Sequence, residues 1–400
     1  MAPIRVAIVG LSTESNPQKT GAWAANAHLP YLKSSPHYDI VAVCNSSVES
    51  AQRTIAHHGF SSSVKGYGSP EDLAKDSNVD LVVISVNVEK HYVLAKPSLE
   101  AGKSLFVEWP LGANLQQAEE LTKIARANGG KTAVGLQSRT SVAGSKIKEL
   151  ISSGKIGTIR SSSVLMTFSA FSGPVLPEMA AYFADKSVGG NMLTINAMHR
   201  KRPPYLRLFQ TRITAHYGSS VIDHVNFILG EFSSLNATLI NQVPTVDIIN
   251  DEGKIIKSRI SKDTPDQIML QGILPNDVAF SLHHRTSTAL DGKPVRWLIS
   301  GTDGEIEITC PMPMWQMTAP GTTVRVCKAD GEVEEVSLEV DDEISKLPWI
   351  GHNTARIYEA FAKGETEKHA TFEDAVVRHR LIDVMWKNAA EKGISYQSSY

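Results

Sequence analysis

Five short apolar runs punctuate the first third of the chain: IRVAIVG (4–10), DIVAVCN (39–45), VDLVVISV (79–86), SLFVEW (104–109) and KTAVGLQ (131–137). Each is nearly continuous in hydrophobicity rather than alternating, the pattern of parallel strands buried on both faces. Between them, PEDLAKD and NLQQAEELTKIARANG carry helical spacing, the second with a stop at Gly129 and Gly130. The succession of strand and helix predicts a doubly wound α/β domain over residues 1–137.

The pattern then changes. TIRSSSVLMTFSAF, SSLNATLINQV, DQIMLQGIL, DVAFSLHHRT and EIEITC mix polar and apolar positions, as strands do in a mostly antiparallel sheet with one face packed. A helix at SKIKELISSG bridges the halves, and TFEDAVVRHRLIDVMWKNAAEKG predicts a final amphipathic helix. Thr371 is its expected N-cap, with Ala375, Val376, Val377, Leu381 and Ile382 toward a core. Residues 138–400 therefore read as a second, α+β domain. Within it, NAMHRKRPPYLRLFQTRITA (196–215) fits neither pattern: it clusters cations around Pro203-Pro204 and carries no acid.

Composition narrows the function classes. A chain of 400 residues is long enough for two cores. Its formal charge of -2 gives no general attraction to nucleic acid or anionic membrane, and HRKR (199–202) is one short patch rather than a basic stripe. Cys44, Cys310 and Cys327 are too scattered for a disulfide framework or a metal site; their thiols are expected to be inert. MAPIRVAIV lacks the features of a signal peptide, and no run approaches a membrane span. A soluble, intracellular protein is expected.

A strand ending in glycine before a helix is a place for a phosphate, because the first helical amides are unpaired. Gly10 ends the first strand and Gly21 precedes the helical run, although the tight G-x-G-x-x-G spacing is absent. After the second strand, where an acid would bind a ribose 2'-hydroxyl, stand Cys44, Asn45, Ser46 and Ser47, with Arg53 beyond. That leans toward NADP over NAD.

AGKSLFVEWP (101–110) resembles the A-G-K-x-V-x-x-E-K-P stretch of the glucose-fructose oxidoreductase/inositol dehydrogenase (Gfo/Idh/MocA) family. GAWA (21–24) and the tryptophan after Glu108 are similar to its fungal galactose-regulon repressor branch. SVNVEKHY, GLQSRTS, TPDQIMLQG and FEDAVVRHRLID extend the likeness along nearly the whole chain. The resemblance implies an N-terminal Rossmann domain binding NAD(P), followed by a substrate and dimerisation domain with a large open sheet. By motif position it implies that Gly10, Leu11, Ser12 and Trp23 line the pyrophosphate and nicotinamide side. Asn45 and Ser46 would face the adenine ribose, and Ser85, Val86, His91, Glu108 and Gln137 would complete the cofactor site.

Departures from the family pattern bear on activity. The lysine of E-K-P, which supports proton transfer in dehydrogenase members, is Trp109 here, and tryptophan exchanges no proton. SVGGNMLTI (187–195) is interrupted by the cationic segment before HYGSSVIDHV, where the family histidine is Ser219 and Asp223 and His224 are shifted by one. Such a shift turns a helical residue by about 100°, enough for Asp223 to miss a pocket. Without residues 196–215 the two halves of that motif would join, as they would if a retained intron had added them. The catalytic candidates are Tyr182, Asp223 and His224, with His216 also considered. Two functions follow. One is an NAD(P)-dependent oxidoreductase, a homodimer acting on a sugar, polyol or other small metabolite in the cytoplasm. The other is a non-catalytic NAD(P)-binding transcriptional regulator that docks an activator protein and enters the nucleus as well.

Overall fold

The computed structural model describes residues 2–14, 21–167, 174–196, 221–250, 252–312, 314–340 and 342–391. Six strands form the first sheet: β1 (Ile4–Val9), β2 (Tyr38–Cys44), β3 (Lys65–Tyr67), β4 (Leu81–Ile84), β5 (Ser104–Val107) and β6 (Thr132–Val134). They lie in the order β3-β2-β1-β4-β5-β6 and every pairing is parallel. Both faces are covered. Val6, Ile8, Leu81, Val83, Phe106 and Ala133 enter one core, and Ala7, Val9, Val82, Ile84, Leu105, Val107 and Val134 enter the other, which is why these strands read as unbroken apolar runs.

Helices α1 (Leu29–Ser34), α2 (Val48–His57), α3 (Pro70–Ala74), α4 (His91–Glu100) and α5 (Leu115–Asn128) connect the strands. Local chemistry sets their ends: Ser47 and Asn114 cap α2 and α5 by accepting the amides of Ser50 and Gln117, and Gly129 ends α5 in the left-handed conformation. After α6 (Val142–Ser152) the chain leaves this layer.

The second sheet contains β7 (Ile159–Thr167), β9 (Ser234–Ile240), β12 (Gln267–Leu274), β13 (Val278–Arg285), β14 (Val295–Gly301), β15 (Gly304–Cys310), β16 (Thr323–Lys328) and β17 (Val333–Val336). Its order is β17-β16-β15-β14-β7-β13-β12-β9, and only the β7–β13 pair is parallel. Strand β13 alternates strictly: Val278, Phe280, Leu282 and His284 are buried while Ala279 and Ser281 are exposed. The inner face packs beneath α6 and α7 (Val221–Leu229) around Trp297 and Trp315. A small sheet of β8 (Val175–Pro177), β10 (Thr245–Ile249) and β11 (Ile255–Ser261) flanks it.

Two late helices return to the first sheet. In α8 (His352–Lys363), Ala355, Ile357, Tyr358 and Phe361 join the core that contains Phe106. At the start of α9 (Phe372–Glu391), Phe372, Ala375 and Val376 join the other, and the amide of Val134 donates to Ala370 at 2.8 Å. Thr371 caps α9 reciprocally: its N–H donates to Asp374 Oδ2 at 2.8 Å and its Oγ1 accepts the Asp374 amide at 3.4 Å. The expectation that Val377 faces a core is corrected. It is 41% exposed, because one residue beyond buried Val376 the helix has turned through about 100°. No helix among the described residues is long and apolar enough to cross a membrane.

Candidate functional site

Strands β1 and β4 are neighbours, yet the chain proceeds from them in opposite directions, to β2 and β3 on one side and to β5 and β6 on the other. A crevice opens outside the carboxyl ends at such a reversal. Gly10 sits there with φ of 90°. A Cβ at this position would lie 2.4 Å from Val86 Cγ1 and 2.5 Å from the Ser85 carbonyl oxygen, so a side chain would fill the space where β1 turns past β4.

The segment beyond Gly10 is pinned from α2. The Leu11 carbonyl accepts from Asn45 Nδ2 at 2.9 Å and from Thr54 Oγ1 at 3.3 Å, and His58 Nε2 lies 2.8 Å from the Ser12 carbonyl. Ser12 Oγ accepts the Glu14 amide at 2.8 Å. Asn45 is thus turned inward as a tether, while Ser46 is exposed. Trp23 is half-buried and meets His28 edge-on. Cys44, at the end of β2, is buried, and burial pushes its thiol up to about 11.

On the other side, Ser85 is buried and its amide donates to Val9 at 3.1 Å. His91 clasps two strand-end loops, with Nε2 3.0 Å from the Val86 carbonyl and Nδ1 2.7 Å from that of Pro110. Burial pulls its pKa below the ordinary value, and a neutral imidazole donates to only one of the two oxygens. Glu108 Oε1 lies 2.8 Å from His28 Nε2, and His28 Nδ1 lies 2.7 Å from the Tyr358 hydroxyl. Gln137 is fully buried, and neither end of its amide has a hydrogen-bond partner among the described residues. A buried amide left so costs about 1–3 kcal/mol, so Gln137, at the same carboxyl edge of the sheet as the Gly10 turn, fits a polar ligand such as a dinucleotide.

Trp109 is not in an open position. It is 5% exposed, its indole N–H donates to the Thr194 carbonyl at 2.8 Å, and its ring lies 4.9 Å from that of His379 on α9. The neighbouring loop is equally tight. Gly189 has φ of 86°, and a Cβ there would fall 2.4 Å from both Cα and the carbonyl oxygen of Ala113. Trp109 therefore belongs to the seam between the two domains.

Asp223 and His224 are neighbours on α7, yet their side chains enter different surroundings. Asp223 is fully buried; Arg139 reaches it at 2.8 Å and Arg378 at 3.6 Å. Arg139 in turn holds Asp374 at 2.9 Å and Arg378 pairs with Glu231, so Asp223 is the middle of an ion network between α7 and α9. His224 is also fully buried, stacked on Trp315 at 4.6 Å and 7° and flanked by Trp297 at 5.8 Å. Burial pushes its pKa down to about 3, and neither ring nitrogen has a partner among the described residues. Tyr182 is half-buried against Phe183 in the second core, and burial raises its phenol. His216 and residues 197–215 of the cationic segment lie outside the described residues. Among the described residues no cluster of His, Cys, Asp or Glu is arranged to hold a metal ion.

Sequence reasoning missed His28 and Tyr358, which complete the chain from Glu108, and Arg139, which holds Asp223. His28 and Tyr358 lie 330 positions apart, and no local spacing marks such a pair.

Comparison with known proteins gives a consistent picture. The model of the oxidoreductase family with an NAD-binding Rossmann fold matches residues 4–136. That of the Gal80p C-terminal domain matches residues 144–201 and 210–310, breaking inside the cationic segment. The dehydrogenase aclE of Aspergillus oryzae is 31% identical over 96% of both chains. The galactose/lactose metabolism regulatory protein GAL80 of Kluyveromyces lactis is also 31% identical, over 76% of this chain and 64% of its own. The crystal structure of the K. lactis regulator superposes with a TM-score of 0.78 at 28% identity, covering 97% of this chain and 93% of the other.

Proposed function

The chain belongs to the Gfo/Idh/MocA oxidoreductase family, with a second domain of the Gal80p type, and from that premise we propose that it is an NAD(P)-dependent oxidoreductase acting on a small hydroxy or carbonyl metabolite, such as a sugar or polyol. The observation that carries the nucleotide half of this reading is the crevice at Gly10, with the unpaired amide of Gln137 at the same edge of the sheet. A bound nicotinamide supplies the hydride chemistry. The chain's own contribution is placement: Gly10 admits the pyrophosphate, Asn45, Thr54 and His58 hold the loop beyond it, and His91 fixes the Val86 and Pro110 loops against each other. NADP is the expected form, because no acid occupies positions 45 to 47 and Ser46 is exposed. Glu49, in the first turn of α2, is a nearby carboxylate, so Glu49→Gln should strengthen NADP relative to NAD, and Arg53→Ala should do the reverse.

A second reading is favoured by Trp109, Asp223 and His224. With the first locked in the domain seam and the other two sealed in the second domain, they offer no proton relay to the crevice. A non-catalytic NAD(P)-binding transcriptional regulator needs none, and would use the same pocket while docking an activator protein. Either form would dimerise through the outer face of the eight-stranded sheet, around Leu165, Met269, His283 and Leu298. Either would work in the cytoplasm, the regulator in the nucleus also.

The deciding experiment follows nicotinamide absorbance by stopped flow after mixing NADPH-loaded protein with fractionated metabolites, with Gly10→Trp as the blocked control. Oxidation that needs the intact pocket establishes the enzyme. Tight NADPH binding without oxidation in any fraction transfers the case to the regulator.

A further inference from the structure

Glu108 follows β5 at the lip of the crevice. It lies on the half of the sheet that a doubly wound fold gives to the second nucleotide of a dinucleotide, here the nicotinamide half. A chain of hydrogen bonds stands behind it, running through His28 to Tyr358. His28 and Tyr358 are completely buried. His28 is the sole hydrogen-bond partner of the Tyr358 hydroxyl among the described residues, and burial raises that phenol well above its ordinary pKa. The phenol therefore keeps its proton, with its oxygen 2.7 Å from Nδ1 of His28. On the other side of the ring, Nε2 lies 2.8 Å from Glu108 Oε1.

Glu108 is the one acid of the three. Among the described residues its one partner within ion-pair distance is His28, and its side chain keeps only 10% exposure. Oε1 is the engaged oxygen. Oε2 lies over Gly135, where a Cβ would come within 2.3 Å of it, and forms no hydrogen bond among the described residues. A sequestered carboxylate without a counter-charge is costly, and a cation arriving in the crevice relieves that cost.

The two redox forms of a nicotinamide ring differ in this respect: the oxidised ring is a cation and the reduced ring is neutral. We infer that Glu108, a buried carboxylate with no lysine or arginine paired to it among the described residues, makes this site select the oxidised nicotinamide nucleotide over the reduced one. The inference rests on the nucleotide-binding half of the reading above and holds whether or not turnover occurs. Attraction between opposite charges in a medium between protein and water changes affinity on the order of tenfold or more.

The test is calorimetric titration of the full chain with NAD+, NADH, NADP+ and NADPH. Glu108→Gln keeps the acceptor for His28 and removes the charge; Glu108→Asp keeps the charge. The expected result is that Glu108→Gln weakens the oxidised forms about tenfold relative to the reduced ones, while Glu108→Asp retains most of the preference. Equal weakening of both forms by Glu108→Gln would reduce Glu108 to a structural strut and overturn the inference, as would an unchanged ratio. Wild-type protein that binds neither form sinks the nucleotide reading itself, a different outcome from either.

Discussion

Lowering the pH from 7 to 5 should cost this fold about 6 kcal/mol through three histidines alone. His224, His284 and His379 are buried, with at least one ring nitrogen of each lacking a partner. Burial pushes their pKa values from the ordinary 6.5 down to about 3, about 4 and about 3. The sign follows from the depressed folded values. Between pH 6.5 and about 4 the unfolded chain takes up a proton at each site and the folded chain does not, so stability is intact above the unfolded pKa and falls as pH drops toward the folded one. At pH 5 each site contributes about 2 kcal/mol of loss, a large part of the roughly 5–15 kcal/mol that holds a domain folded. Urea unfolding followed by tryptophan fluorescence at pH 7 and pH 5 measures the difference above the range where carboxylates protonate. His224→Phe, which keeps a flat ring on Trp315, should recover about 2 kcal/mol of it. Equal unfolding midpoints at the two pH values, or a His224→Phe protein with the same pH dependence as wild type, would refute the reasoning.

Three further perturbations have defined outcomes. Asp223→Asn leaves buried Arg139 and Arg378 short of a counter-charge and should destabilise by about 3–5 kcal/mol in chemical denaturation, a larger effect than an exposed carboxylate would produce. Trp109→Phe removes the donor to the Thr194 carbonyl and part of a buried ring, and should cost about 2–3 kcal/mol by the same measurement. Gly10→Ala places a methyl group 2.4 Å from Val86 Cγ1 at a φ of 90°; it should lower thermal stability by about 1–2 kcal/mol and weaken NADPH binding at least about tenfold, read by nucleotide fluorescence.

The first sheet was legible because its signal is local. A strand buried on both faces is apolar at every position, as Leu81 to Ile84 are, and no longer-range knowledge is needed to read it. Strand β3, with only Lys65, Gly66 and Tyr67 and none of them buried, carries no such signal and was missed. The same distinction separates the parts of the site. Gly10 and Glu108 lie next to strands that announce themselves. Asp223 instead depends on Arg139, 84 positions earlier, and its partner could not be inferred from α7 alone. That tryptophan at position 109 exchanges no proton is readable from its chemistry, whereas its bond to Thr194 depends on how distant segments meet.

The return of α8 and α9 to the first sheet bears on how the chain is made. The segment that resembles a complete nucleotide-binding unit ends at residue 137, but Tyr358 and Phe361 cover Phe106 on one side, and Phe372 and Ala375 fill the other. A nascent chain that has cleared the ribosome only as far as α6 must hold both apolar faces partly open. It must go on doing so through synthesis of the entire second sheet. The nucleotide-binding layer, translated before the second sheet, is therefore among the last parts to close, and that interval is when it most needs a chaperone.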